Sequence, residues 1–181
     1  MGHCLGCHTG CCRAFAVPVS GADILRIMSA TGQTFREVAC RWEDPQGEID
    51  RGHAPHFHFA DDPETPYVIC LLHEPSDSFP GTTRCKFIHE LPPAEGQQSG
   101  ASQCSIYTDR PGTCRVFPAK SDDLVQIDLQ TVPEYGRAEQ QPAYKLCPVQ
   151  WQLTDLNPFE ILQEIRCTTE EMQLFRLVAR M

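Results

Sequence analysis

Apolar residues recur at helical spacing towards the two ends of the chain and at strand spacing in its middle. In VPVSGADILRIMSATG, Ile24, Ile27 and Met28 share one helix face. Ser20 with Asp23 three residues on forms a capping-box pattern before that face, and Gly32 supplies the stop. Thr34 with Glu37 repeats the cap, which predicts a second helix carrying Phe35, Val38, Ala39 and Trp42. Near the far end, Asn157-Pro158 followed by Glu160 predicts an N-cap with proline at the first helical position. Phe159, Ile161, Leu162 and Ile165 would then face the core. Thr168 with Glu171 predicts the start of a last helix bearing Met172, Phe175 and Val178.

The middle reads differently. Residues 43 to 64 are polar and rich in Pro and Gly, which predicts a loop with weak strands. Within it HAPHFHF alternates His56 and His58 with Phe57 and Phe59, placing both imidazoles on one face of a strand. TPYVICLLHE is a short apolar run with β-branched and aromatic residues, a strand. LPPAEGQQSGASQ, residues 91 to 103, is a polar loop by composition. CSIY and DLVQIDL (123 to 129) are two further strand candidates. No internal repeat or domain boundary is visible, so the expectation is one small α+β domain spanning residues 1 to 181.

Composition narrows the function. Hydrophobic residues make up 41% and charged residues 22% of 181, the balance of a soluble globular chain. A net charge of -9 repels phosphate backbones and argues against nucleic acid as partner. No apolar run approaches the roughly 20 residues that span a bilayer. The start of the chain lacks the basic and apolar stretches of a secretory signal, and Gly6 stands where myristoylation wants Ser or Thr. The expected location is therefore cytoplasmic, without membrane contact.

That location changes the meaning of the 11 cysteines. An odd number cannot all pair, and glutathione keeps cytosolic thiols reduced, so dense cysteine there points to metal more than to disulfides. Cys4-x2-Cys7 has metal-knuckle spacing, with Cys11 and Cys12 close behind. Adjacent cysteines in an extended stretch would point to opposite sides. Cys104 and Cys114 flank a turn containing Pro111 and Gly112, a loop suited to bringing distant thiols to one centre. Of the 15 Lys and Arg, Arg13, Arg41, Arg84, Lys86, Arg115 and Arg166 adjoin a cysteine. Chance would give roughly one or two such neighbours, so positive charge gathers where thiolates would use it.

The pattern CxxCxxxCC, then VSGADILRIM, then Cys-x-Phe at 85 to 87, then CSIYTDRPGTCRVFP and a late Cys147 resembles the CxxCxxCC family. These are the YkgJ-like zinc- or iron-chelating proteins. The likeness runs from Cys4 to Cys147, although a long polar insert separates Cys-x-Phe from CSIY. It implies a metal or iron–sulfur centre on Cys4, Cys7, Cys11, Cys12, Cys85, Cys104, Cys114 and Cys147. Thiolate spacing suits an iron–sulfur cluster, with Zn(2+) the alternative cofactor. Tyr107, Arg110 and Arg115 lie inside the most specific stretch. They would contact the centre or an anionic substrate, or else tie the turn to acidic neighbours such as Asp109.

Function divides into three classes. The first is a metal or iron–sulfur protein in redox or metal handling. The second is a protein-modifying enzyme, because flagellin lysine N-methylases carry a related cysteine cluster. The third is a structural zinc module that docks a protein partner. P-loop, GxGxxG, GxSxG and HExxH patterns are absent. His53, His56 and His58 beside Asp61 and Asp62 form a second candidate metal site, with His3 and His8 as accessory candidates. Cys40, Cys70 and Cys167 lie outside the family motif and read as small hydrophobes or accessory ligands.

Overall fold

A computed structural model describes residues 10–49, 53–92, 95, 100–121, 124–130, 142–145 and 150–178. Along these the helices are α1 (Cys11–Ala14), α2 (Gly21–Thr31), α3 (Phe35–Val38), α4 (Gly112–Val116) and α5 (Pro158–Val178). The first strands are β1 (Ala39–Glu43), β2 (Phe57–Phe59), β3 (Asp62–Leu71), β4 (His73–Pro75) and β5 (Thr83–Cys85). They are followed by β6 (Ile88–Glu90), β7 (Ser102–Cys104), β8 (Ala119–Lys120) and β9 (Asp128–Leu129). Helices mix with short antiparallel strands, an α+β fold as the sequence predicts. The chain divides into two compact units. One draws on Met1–Ala16, Leu72–Thr108 and Thr131–Gln150, the other on Val17–Leu71, Asp109–Gln130 and Trp151–Met181. No helix among the described residues is long and apolar enough to cross a membrane.

The second unit contains a three-stranded sheet in the order β1-β3-β2. Its centre is the apolar run Tyr67 to Leu71, which is buried throughout, as a central strand requires. Segment 17–19 extends one edge: Val19 N–H donates to Ile69 O (3.0 Å) and Leu71 N–H to Val17 O (2.9 Å). Helix α2 begins on the expected cap. Asp23 N–H donates to Ser20 Oγ and Ser20 N–H to Asp23 Oδ2, both at 3.0 Å. The helix ends at Gly32, whose φ of 70° is cheap only without a Cβ.

Asp23 does more than cap. Its fully buried carboxylate also accepts from Gly112 N–H (3.0 Å) and pairs with Arg26. Thr113 Oγ donates to Pro18 O at 3.2 Å. The Arg-Pro-Gly turn is thereby fastened to the start of α2. On its other side it meets α5 so closely that a Cβ at Gly112 would overlap the Thr168 side chain.

Five expectations change. Thr34 and Glu37 do form a capping box, but α3 stops at Val38 and the chain becomes β1, because Ala39 to Glu43 pair with Leu71 to Tyr67. CSIY is a strand only at its start: β7 ends at Cys104. Among the described residues of DLVQIDL, Asp128 and Leu129 are strand, paired with β8. The C-terminal segment is one helix of 21 residues, not two. Thr168 is not a cap there; it is a small side chain buried against Gly112. Asn157 does cap α5, accepting from Phe159 N–H at 3.2 Å. Phe159 itself is 85% exposed rather than in the core, whereas Ile165 and Met172 are buried.

The first unit is built from the hairpins β4–β5 and β6–β7. A bend at Lys86 and Phe87 joins them, held by Lys86 N–H to Leu72 O (2.9 Å) and Ser105 N–H to Phe87 O (2.8 Å). Helix α1 packs against β5 and against the turn Pro142–Tyr144. Ala14, Ala143 and Tyr144 form a small core there, joined by Cys11 and Phe79.

Overpacking the turn should be costly. Gly112→Ala should destabilise the protein by about 1–3 kcal/mol in urea denaturation. Thr168→Ala, which clears the space, should recover most of that loss. Additive losses in the double variant would refute the contact.

Candidate metal centre

Cys11 and Cys12 sit in a single helical turn, not in an extended stretch, because Arg13 and Ala14 N–H both donate to Gly10 O (3.0 and 2.8 Å). Helical geometry brings neighbouring side chains to adjacent rather than opposite directions. The Cys12 side chain hydrogen-bonds the Cys11 thiol. That bond and nearby backbone N–H groups, with a smaller contribution from Arg13, outweigh burial and lower the Cys11 thiol to about 7.

Cys85 ends β5 and is buried. Burial, with the added repulsion of nearby Cys104, pushes its thiol up to about 12 against the weaker pull of Phe87 N–H and Arg84. Cys104 ends β7 opposite Ile88. The first unit thus carries two thiol neighbourhoods, Cys11 with Cys12 and Cys85 with Cys104. Helix α1, bearing the first, packs on the strand bearing Cys85.

A buried ion pair fixes α1. Arg13 (1% exposed) pairs with Glu90 (4%) on β6. It also donates to Ser102 Oγ at 3.4 Å and lies over the Phe79 ring, 4.9 Å from its centroid. Glu90 accepts further from Ser76 Oγ (2.7 Å), Asp77 N–H (2.8 Å) and Ser78 N–H (3.0 Å). Burial raises the Glu90 carboxyl, but Arg13, Ser76 and Ser78 outweigh it and hold it at about 2. This network was not legible beforehand. Its neighbours in sequence give no sign that α1 and residues 76–78 will close around Glu90.

Other predicted residues are placed as follows. Cys4, Cys7, Cys147, His3 and His8 lie outside the described residues. Cys114 is on α4 in the second unit, and Tyr107 is half-buried in the turn after β7. Arg115 donates to Glu164 (2.7 Å) and to Arg110 O (2.6 Å), which braces the Arg-Pro-Gly turn onto α5 rather than onto Asp109. In the histidine cluster, His56, His58, Asp61 and Asp62 each contact a different residue. His56 Nε2 meets Asp44 Oδ2 at 2.8 Å, His58 Nδ1 meets Pro63 O at 2.9 Å, Asp61 binds Arg41 (2.7 Å) and Asp62 accepts from Tyr67 (2.7 Å). Burial raises Asp44, yet His56 with Ile49 and Glu48 N–H lower it overall. Cys40 stands opposite Cys70 across β1 and β3, and burial raises its thiol. Cys70 is fully buried, whereas Cys167 is exposed on α5. Among the described residues, no three Cys, His, Asp or Glu side chains gather as a metal-binding group.

The thiols of the first unit match the ligand chemistry of soft metals. A family model described as "Putative zinc- or iron-chelating domain", CxxCxxCC, matches residues 3–135. The chain belongs to the CxxCxxCC family. The match takes in CxxCxxxCC, α2, both hairpins and the Arg-Pro-Gly turn, and ends short of Cys147 and α5. No curated protein and no solved structure matches the chain. In the CxxCxxCC family chain described here, the donor set suits the metals named. Cys11 is already close to half-ionised at neutral pH, and a bound cation is what would strip the proton from a thiol as buried as Cys85.

Alkylation kinetics of the metal-free protein should separate these thiols. The thiolate is the nucleophile, so labelling of Cys11 by iodoacetamide should rise with pH to half-maximum near 7, while Cys85 stays unlabelled through pH 9. Cys12→Ala should move the Cys11 midpoint upward, since it removes the largest lowering contact. Peptide-resolved mass spectrometry over a pH series checks both.

Proposed function

We propose that the protein holds an iron–sulfur centre through Cys4, Cys7, Cys11, Cys12, Cys85, Cys104 and Cys147, and that it serves redox transfer or metal handling. The observation that carries the reading is the presence of two thiol pairs in the first unit. Cys11 and Cys12 touch, their helix lies on the strand of Cys85, and Cys85 is near enough to Cys104 to feel its charge. Closely spaced thiolate pairs suit cluster binding. A cluster would supply one-electron transfer; the chain supplies the thiolates and, through the burial around Cys85, exclusion of water. Zinc on the same thiols is the competing occupant, and it would make the protein a structural module rather than a redox one.

Metal binding of this kind is coupled to folding, because the thiolates repel one another without a cation. Anaerobic purification should give brown protein with iron and acid-labile sulfide in equal amounts, and a broad visible band bleached by dithionite. Colourless protein with stoichiometric zinc would replace the cluster by zinc. Protein with neither, and with circular dichroism and melting unchanged by chelators under reducing conditions, would refute the proposal.

A further inference from the structure

We infer that Arg13 is the positioning residue of the metal-binding thiols, setting the register of the Cys11–Cys12 turn against the hairpin that ends in Cys104. This rests on the proposed metal-binding role. Arg13 follows Cys12 directly, so wherever its guanidinium is anchored the two cysteines are carried with it. The anchor is on the hairpin. Glu90 and Ser102 stand directly opposite each other on β6 and β7, and Arg13 reaches both. Ser102 is two residues before Cys104 on the same strand, and alternate residues share a face, so Ser102 and Cys104 lie on one side of β7 about 7 Å apart.

The anchor has little freedom. The pair is removed from water, and Phe79 covers the guanidinium. Glu90 is locked by Ser76, Asp77 and Ser78, so it cannot follow Arg13 to another position. A planar guanidinium can meet a carboxylate and a hydroxyl together, which a single ammonium point charge does less well. Charge tuning of the sulfurs is a minor duty by comparison: Arg13 is the weakest of the influences on Cys11. Its task is geometric, keeping α1 from sliding along the hairpin while an ion is shared between thiols on different elements.

The test uses the full chain, cobalt(II) as probe, and the variants Arg13→Met, Arg13→Lys and Arg13→Met with Glu90→Leu. Sulfur-to-cobalt charge-transfer absorbance per bound ion counts the thiolates engaged, a readout that a loss of folded protein alone does not change. Arg13→Met should weaken cobalt binding at least tenfold and lower that absorbance per ion, with Arg13→Lys intermediate. The double variant removes both buried charges, and with them the unpaired charge that Arg13→Met alone leaves behind; it should still show the reduced absorbance. Binding within twofold of wild type with unchanged absorbance, in whichever of these variants folds, would overturn the inference and leave the metal reading standing. Wild-type protein that binds no cobalt, zinc or iron would sink the metal reading instead. The clamp is then judged by iodoacetamide: labelling of Cys11 and Cys12 should be at least tenfold faster in Arg13→Met, and equal rates would overturn it.

Discussion

A carboxylate taken out of water has to be surrounded by donors, and this chain meets that constraint repeatedly. Glu90 is enclosed by Arg13, Ser76 and two backbone N–H groups, and Asp23 by Ser20 N–H, Gly112 N–H and Arg26. Asp44 does the same on a smaller scale with His56, Glu48 and Ile49. Glu90 and Asp23 collect segments far apart in sequence, while Asp44 closes a local loop, and together they decide where the loops can lie. Loss of one partner leaves a charge or donor stranded, which costs far more than the intact network contributes. The short hairpins of the first unit, three residues to a strand, could not fix the position of α1 by ladder bonds alone.

The same constraint explains parts of the family motif that carry no sulfur. VSGAD and the Arg-Pro-Gly turn meet at Asp23 and Gly112, so the serine, aspartate and glycine answer to one another. Thr168 then sets the space left to the glycine, although it lies beyond the matched residues. Arg115 likewise acts as a brace to Glu164. Conspicuous residues around cysteines thus divide into those that hold sulfur in place and those that hold the turn.

Legibility from sequence followed the range of the interaction. The caps at Ser20 and Asn157, the stop at Gly32 and the strand at Tyr67 to Leu71 depend on near neighbours, and all stand in the structure. Ala39 to Trp42 was misread because its apolar spacing fits a helix as well as a strand, and only β3 decides between them. Thr168 with Glu171 carried a valid cap pattern that went unused, since a continuous α5 buries Ile165 and Met172 together. Cysteine spacing pointed to the family and its chemistry. It gave no hint that Cys104 and Cys114 would belong to different units, nor that Cys11 and Cys12 would share a helical turn.

Positive charge beside cysteine proved to be a less direct signal than it looks. Arg41 goes to Asp61, Arg84 lies among Glu74, Asp77 and Glu90, Arg115 goes to Glu164 and Arg13 to Glu90. In a chain with a net charge of -9, carboxylates compete for every guanidinium, and a hydrogen-bonded carboxylate is the stronger claimant than a neutral thiol. Arg13 and Arg84 act on Cys11 and Cys85 only as minor influences. On the proposed metal reading, the counter-charge for several thiolates would come chiefly from an inorganic cation. On that reading a protein organised this way would gain little from basic residues beside its thiols; it would hold them in register by ion pairs placed elsewhere and leave their deprotonation to the bound cation.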